Sequence, residues 1–124
     1  MPEGDTIFKV AAVMRPDVEG ERLAGVELDG RPARSLERLV LAVDTVGKHL
    51  LLALDGGETI RVHLGMHGSW HRYRPGEAWR RPRRQASIRF ATDRWVFICF
   101  NAMRVDFLDA RQVCLLYTSD AADE

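Results

Sequence analysis

From residue 23 onward the chain is cut into short β-type segments, at about 23–29, 38–45, 49–55, 58–64, 68–74, 86–92 and 95–100. In each, apolar and polar residues alternate or a brief apolar run occurs. One helical segment precedes them. Residues 5–15 (DTIFKVAAVMR) set Ile7, Val10, Ala11 and Met14 on one face, with Asp5 as the N-cap and Pro16 as the stop. Asp55-Gly56-Gly57 and Thr92-Asp93-Arg94 mark turns between consecutive segments. A leading helix and many closely spaced strands, with no βαβ unit and no internal repeat, predict a mainly β (α+β) fold. Its form is a two-layer antiparallel β-sandwich with the N-terminal helix against one end.

The 124 residues suit one domain with a single modest core. At 46% hydrophobic and 29% charged residues the composition is that of a soluble globular protein. No apolar run approaches the roughly 18–20 residues that cross a bilayer, so no membrane partner is expected. Glu3 and Asp5 stand where a signal peptide would be basic, which points to a cytoplasmic protein. Cys99 and Cys114 supply neither a disulfide framework nor a metal ligand set and are expected to be free thiols.

Net charge is zero, with 18 basic and 18 acidic residues, but the charges are unevenly placed. Asp120, Asp123 and Glu124 fall in the last five positions; 18 acids less these three leaves 15. Residues 72–94 carry Arg72, Arg74, Arg80, Arg81, Arg83, Arg84, Arg89 and Arg94. Such a stretch is either a solvated loop and strand edge or a phosphate-contacting surface. The choice of arginine over lysine, with Trp70, Tyr73 and Trp79 nearby, favours phosphate contact.

The chemistry-bearing residues begin at the first position. A small second residue such as Pro2 permits removal of Met1 and leaves a free secondary amine. An α-amino group titrates near about 8 and lysine near about 10.4, so roughly a tenth of the former is unprotonated at neutral pH. That amine can attack a sugar C1′ and form an iminium, the electron sink that elimination at the neighbouring carbon requires. Glu3 could move protons in those steps, its carboxylate stabilised by the helix dipole and opposed by any burial. The pentapeptide is equally an ordinary helix start.

Lys48, after Gly47 in VGKHLLLAL, either caps a strand edge or holds a phosphate. His63, His67 and His71 would form a metal row on a helix, but Gly65 and Gly68 argue for strand, tight turn, strand. That turn presents Met66 and His67 at its tip. An exposed Met66 could wedge into a base stack, and a buried one would be core filler.

MPEGDT at the start, GKHLLL at 47–52, HLGMHGSW at 63–70 and FNAMRVDFLD at 100–109 together resemble the formamidopyrimidine-DNA glycosylase and endonuclease VIII family over residues 1–112. MPEG followed by Asp is more similar to the endonuclease VIII branch, which favours oxidised pyrimidines. The resemblance implies a bifunctional DNA glycosylase and abasic-site lyase in base excision repair, acting by a Schiff base and successive β- and δ-elimination. Its partner is damaged double-stranded DNA, met as a monomer in the bacterial cytoplasm. By the same resemblance Pro2 is the nucleophile, Glu3 the general acid/base, Lys48 the hairpin lysine that contacts DNA, Met66 a residue inserted into the vacated stack, and His63 a neighbour of the phosphate backbone. Arg80, Arg81, Arg83 and Arg84 are added as DNA contacts on charge alone. No void-filling role is assigned to Arg104 or Val105, because FNAMRVDF departs from the DPRRFG of the formamidopyrimidine branch.

The family continues with a helix–two-turn–helix module and, in many members, a zinc finger, so zinc is expected there and no cofactor within this stretch. Residues 113–124 show neither strand nor helix pattern and resemble an adapter-derived read-through peptide. They are expected to be non-native and the chain a fragment. Small tautomerases also use an amino-terminal proline, but their chains begin with a strand. A DNA-binding fragment impaired in catalysis is the other alternative.

Overall fold

The structure is a computed structural model that describes residues 3–115. Helix α1 (Glu3–Val18) leads into β1 (Ala24–Leu28), β2 (Arg31–Pro32), β3 (Val40–Val46), β4 (His49–Leu54), β5 (Thr59–His63), β6 (Ser69–Tyr73), β7 (Ala86–Ala91), β8 (Val96–Phe100) and β9 (Arg104–Leu108). One sheet has the order β2-β1-β7-β8-β6 and the other β3-β4-β5-β9, with antiparallel pairing throughout. The fold is the expected two-layer sandwich. Both marked turns close hairpins: the Leu54 amide donates to the Glu58 carbonyl (2.8 Å), and the Thr92 amide to the Trp95 carbonyl (2.8 Å). Strands β2 and β9 escaped the sequence reading. The first has two residues, and the second breaks strict alternation in RVDFL.

The sheets meet through the alternate residues of their strands. Leu50, Leu52, Leu54, Ile60 and Val62 face Ile88, Phe90, Phe97 and Cys99 in one buried cluster. Burial pushes the Cys99 thiol up to about 12, which leaves it inert at neutral pH. β8 is buried at every position, VFICF, because its outer face carries a second small core of Val96, Ile98 and Phe100 with Tyr73. A strand this uniformly apolar needs cover on both faces.

The helix differs from its prediction in three respects. It starts at Glu3, so Asp5 lies inside the first turn and is not its cap. It runs through Pro16 to Val18, and it lies along β3 at a sheet edge, not against an end of the sandwich. Pro16 cannot donate to the Ala12 carbonyl, but both residues are exposed, so water can take that acceptor. Contacts beyond the proline hold the last turn: Val18 is fully buried with Ile7, Ala11 and Met14. The Val43 amide donates to Glu19 Oε2 (2.7 Å), and Arg15 Nε donates to the Val43 carbonyl (2.8 Å). Tertiary packing thus overrides the local stop signal.

After β9 the backbone is helical over 110–115, opened by a reciprocal cap. The Gln112 amide donates to Asp109 Oδ1 (2.8 Å) and the Asp109 amide to Gln112 Oε1 (2.9 Å). Val113–Leu115 are therefore helical, against the patternless reading of the tail; 116–124 lie outside the described residues.

Two substitutions test the helix. Met14→Ala should cost about 2–5 kcal/mol in urea unfolding, for the lost burial and the cavity left. Pro16→Ala should gain stability, by up to about 3 kcal/mol, since it restores a helix-interior hydrogen bond; a loss would show that the proline fixes the helix end.

Candidate nucleic-acid interface

Several sequence-predicted site residues gather at one end of the sandwich. Lys48 is exposed on the two-residue loop between β3 and β4, where Val46 pairs His49 and Gly47 at φ 57° takes the position that a II′ turn reserves for glycine. Cross-strand register then aligns His49, His63 and Arg104 on β4, β5 and β9. The His49 and His63 rings sit 4.7 Å apart. α1 runs antiparallel to β3, since Gly20 donates to the Val40 carbonyl (2.8 Å) while Arg15 reaches Val43. From Arg15 back to Glu3 is about 18 Å of helix; from Val43 on to Lys48 is about 17 Å of strand. The helix start and the lysine loop are therefore level. Pro2 lies outside the described residues, as does the side chain of Glu3.

The Met66 turn is present, but its two strands belong to different sheets, so it is a crossover and not a hairpin. Met66 is 84% exposed, which removes the core-filler alternative. A Cβ on Gly68 would fall on the Leu64 carbonyl oxygen, so the tight return to β6 requires glycine. A second crossover, 101–103, lies against the first. The Met103 amide donates to the carbonyls of His63 (2.9 Å) and Leu64 (3.3 Å), and a Cβ on Gly65 would stand 2.8 Å from Met103 Cβ. Met103 is itself 65% exposed and flanks Met66 through Gly65. The sequence reading missed it; the signal lay only in the pairing of two crossovers, which no local pattern encodes.

An ion network backs this end. Arg61 Nε donates to Asp106 Oδ1 (2.7 Å) and Nη2 to Oδ2, which Arg104 Nε also meets at 2.9 Å. Partial burial works to raise the Asp106 pKa, but the hydrogen bond and charge of Arg61, joined by Arg104, outweigh it and hold the carboxyl below its ordinary value.

The arginine-rich stretch forms an arm, 74–85, that crosses the outer face of β8 and covers the small outer core. Trp79 packs edge-on to Phe100 at 6.0 Å, and the Asn101 amide donates to the Gln85 carbonyl (2.9 Å), which ties the arm's far end to the second crossover. The aromatic residues near these arginines are structural: Tyr73 is 3% exposed, and Trp70 packs on Phe90. Arg72 is also spent internally, on Asp17 (2.6 Å) and over the Trp95 ring (3.9 Å). Arg89 donates to the Gly25 carbonyl. Arg80, Arg81, Arg83 and Arg84 are exposed, and among the described residues no carboxylate pairs with them. Arg83 lies over the Trp79 ring (4.2 Å). Among the described residues, His, Cys, Asp and Glu nowhere gather in threes that could hold a metal ion, and no helix is long and apolar enough to cross a membrane.

The profile of the formamidopyrimidine-DNA glycosylase N-terminal domain matches residues 1–115. The chain belongs to that family. It is 39% identical over 89 residues to a probable endonuclease 8 of Streptomyces coelicolor, a match covering 64% of this chain and 30% of that protein. A formamidopyrimidine-DNA glycosylase of Methylocella silvestris matches at 29% identity over 134 residues, 99% of this chain and 46% of its own length. The chain thus spans less than half of either relative. The Lactococcus lactis formamidopyrimidine-DNA glycosylase, solved noncovalently bound to DNA containing an abasic site, superposes with TM-score 0.75 over 92% of this chain and 48% of that one, at 11% identity. At that identity the likeness is one of fold.

The crossover end of this family member carries its own test. Asp106→Asn should cost about 1–3 kcal/mol in urea unfolding, by leaving Arg61 without its charged partner. A depressed carboxyl pKa contributes stability above its unfolded value that is lost as pH falls through the folded one. The parent should therefore lose stability below about pH 4, and the variant should lack that component.

Proposed function

We propose that the chain is the catalytic N-terminal domain of a bifunctional DNA glycosylase and abasic-site lyase, acting on oxidised bases in damaged duplex DNA in the bacterial cytoplasm. The observation that carries it is convergence at one end of the sandwich, where the helix start, the Lys48 loop, His63 and the exposed Met66 come level in a member of this family. Met66 fills the space of a flipped nucleotide, Lys48 and His63 hold the adjoining phosphates, and the Pro2 amine attacks C1′. As the Pro2 nitrogen bonds C1′, the C1′–N bond to the base breaks and the base leaves with a proton; the C1′–O4′ bond then breaks, O4′ takes a proton, and the ring-opened iminium forms. Loss of a C2′ proton then expels the 3′ phosphate, with Glu3 moving the protons, and a second elimination releases the 5′ side. Arg80, Arg81, Arg83 and Arg84 supply sequence-independent affinity to the flanking backbone.

A second reading, a DNA-binding domain without turnover of its own, is favoured by the exposed arginine arm, whose guanidinium groups at 80, 81, 83 and 84 meet no carboxylate among the described residues. Borohydride trapping on an abasic-site duplex separates the two. The catalytic reading expects a covalent adduct at the N-terminus, weakened strongly by Pro2→Gly and roughly a hundredfold or more in rate by Glu3→Gln. Binding without any adduct, from protein with a confirmed free Pro2 amine, overturns the lyase claim. In the same binding assay, replacing the four arm arginines with glutamine should flatten the dependence of affinity on salt by roughly one unit of slope per lost phosphate contact. An unchanged slope removes the arm from the interface.

A further inference from the structure

The arm is fastened at its middle by a row of three polar side chains on the outer face of β6. Ser69, His71 and Tyr73 occur at every second residue and so point the same way. Ser69 Oγ lies 3.3 Å from His71 Nε2, and His71 Nδ1 lies 2.7 Å from the Tyr73 hydroxyl. The Arg80 amide donates to that hydroxyl at 2.9 Å. Because the Tyr73 oxygen already accepts from Arg80, its own proton goes to His71 Nδ1. That assigns the remaining imidazole proton to Nε2, which donates to Ser69. The Arg80 amide, the Tyr73 hydroxyl and His71 Nε2–H then each have an acceptor.

We propose that Ser69, His71 and Tyr73 form a clasp that holds the arginine arm on the outer sheet only while His71 is uncharged. A second imidazole proton would sit on Nδ1 and point at the Tyr73 hydroxyl. The oxygen would then accept from both His71 and Arg80, and the tyrosine's proton would have no acceptor at a residue that is 3% exposed. The surroundings add to the penalty. The arm presents Arg80 and Arg81 to the imidazole, and β8 contributes Ile98 and Phe100, the latter with its ring 4.9 Å from His71; Arg72, the next residue on β6, points to the other face, where it meets Asp17. Among the described residues the acid beside the imidazole is Glu77, which accepts from the Arg74 amide (2.8 Å). Burial first, and then Arg81 and Arg80, hold His71 below its ordinary pKa. A histidine depressed in the folded arm takes up protons when the arm opens. Arm docking is therefore complete above about pH 6.5 and is lost as pH falls below it.

His71 and Tyr73 are positioning residues, and the clasp itself stands on geometry alone. Only its effect on DNA rests on the function proposed above. Hydrogen exchange of the Arg80 amide in the 124-residue chain, corrected for intrinsic rates, reads the clasp directly. Protection in the parent should fall by roughly tenfold between about pH 7.5 and about pH 5. His71→Gln, which donates and accepts without charge, should hold its protection constant across that range. Tyr73→Phe, which keeps the ring and loses the acceptor, should be weakly protected throughout. Constant protection in the parent, or an undiminished fall in His71→Gln, overturns the clasp. Should Tyr73→Phe fail to fold, the glutamine variant alone decides. With the clasp intact, the ratio of parent to His71→Gln affinity for an abasic-site duplex should drop with acidification. A surface histidine that merely gained charge would raise that ratio. A pH-dependent clasp with an unchanged ratio refutes the arm's part in DNA binding and leaves the clasp standing.

Discussion

One backbone amide, that of Met103, joins two of the three places where the chain passes from one sheet to the other, β5 to β6 and β8 to β9. It donates to the carbonyls of both His63 and Leu64, at the point where β5 ends and the first crossover begins. Stitched together, the loops form a rim on which Met66 and Met103 stand exposed, near the aligned residues His49, His63 and Arg104. The Arg61–Asp106–Arg104 network ties the two strands beneath that rim. The rim's shape therefore depends on backbone hydrogen bonding and on register, and much less on the identity of the side chains it displays.

A separate economy governs the other sheet. β8 buries both faces, so something must cover Val96, Ile98 and Phe100, and the segment that does so is also the most basic in the chain. Like charges close together on an unsupported loop would repel and disperse. Here Trp79 on Phe100, Gln85 at Asn101 and the Arg80 amide on Tyr73 hold the segment down at three points, so the guanidinium groups stay concentrated. Apolar burial and a hydrogen-bonded row offset the electrostatic cost of the cluster.

Most of the sandwich was legible because its strands obey periodicity: the seven segments read from alternation correspond to β1 and β3–β8, with boundaries off by one or two residues. Helix α1 was legible in its face and not in its ends, since the last turn is held by Glu19 and Val18 through partners on another element. At the crossover end, Lys48, His63 and Met66 stood out in the sequence through their motifs. Met103 did not, because its place follows from the meeting of two loops some forty residues apart. The packing role of the aromatic residues near the arginines was hidden for a related reason. Composition puts Trp79 and Tyr73 beside the charges, but only tertiary structure shows them pointing beneath.

The chain's sulfur atoms are sorted by accessibility in a way that bears on oxidative chemistry. Cys99, between the sheets and with its thiol pushed up to about 12, presents neither thiolate nor surface to a peroxide. The thioethers of Met66 and Met103 stand in the open at the rim. Conversion to sulfoxide would replace an apolar, pliant tip by a polar and chiral one at both positions. Peroxide would therefore reach the rim, and the exposed Cys114, while sparing the core; at the rim, repair would fall to methionine sulfoxide reduction and not to refolding.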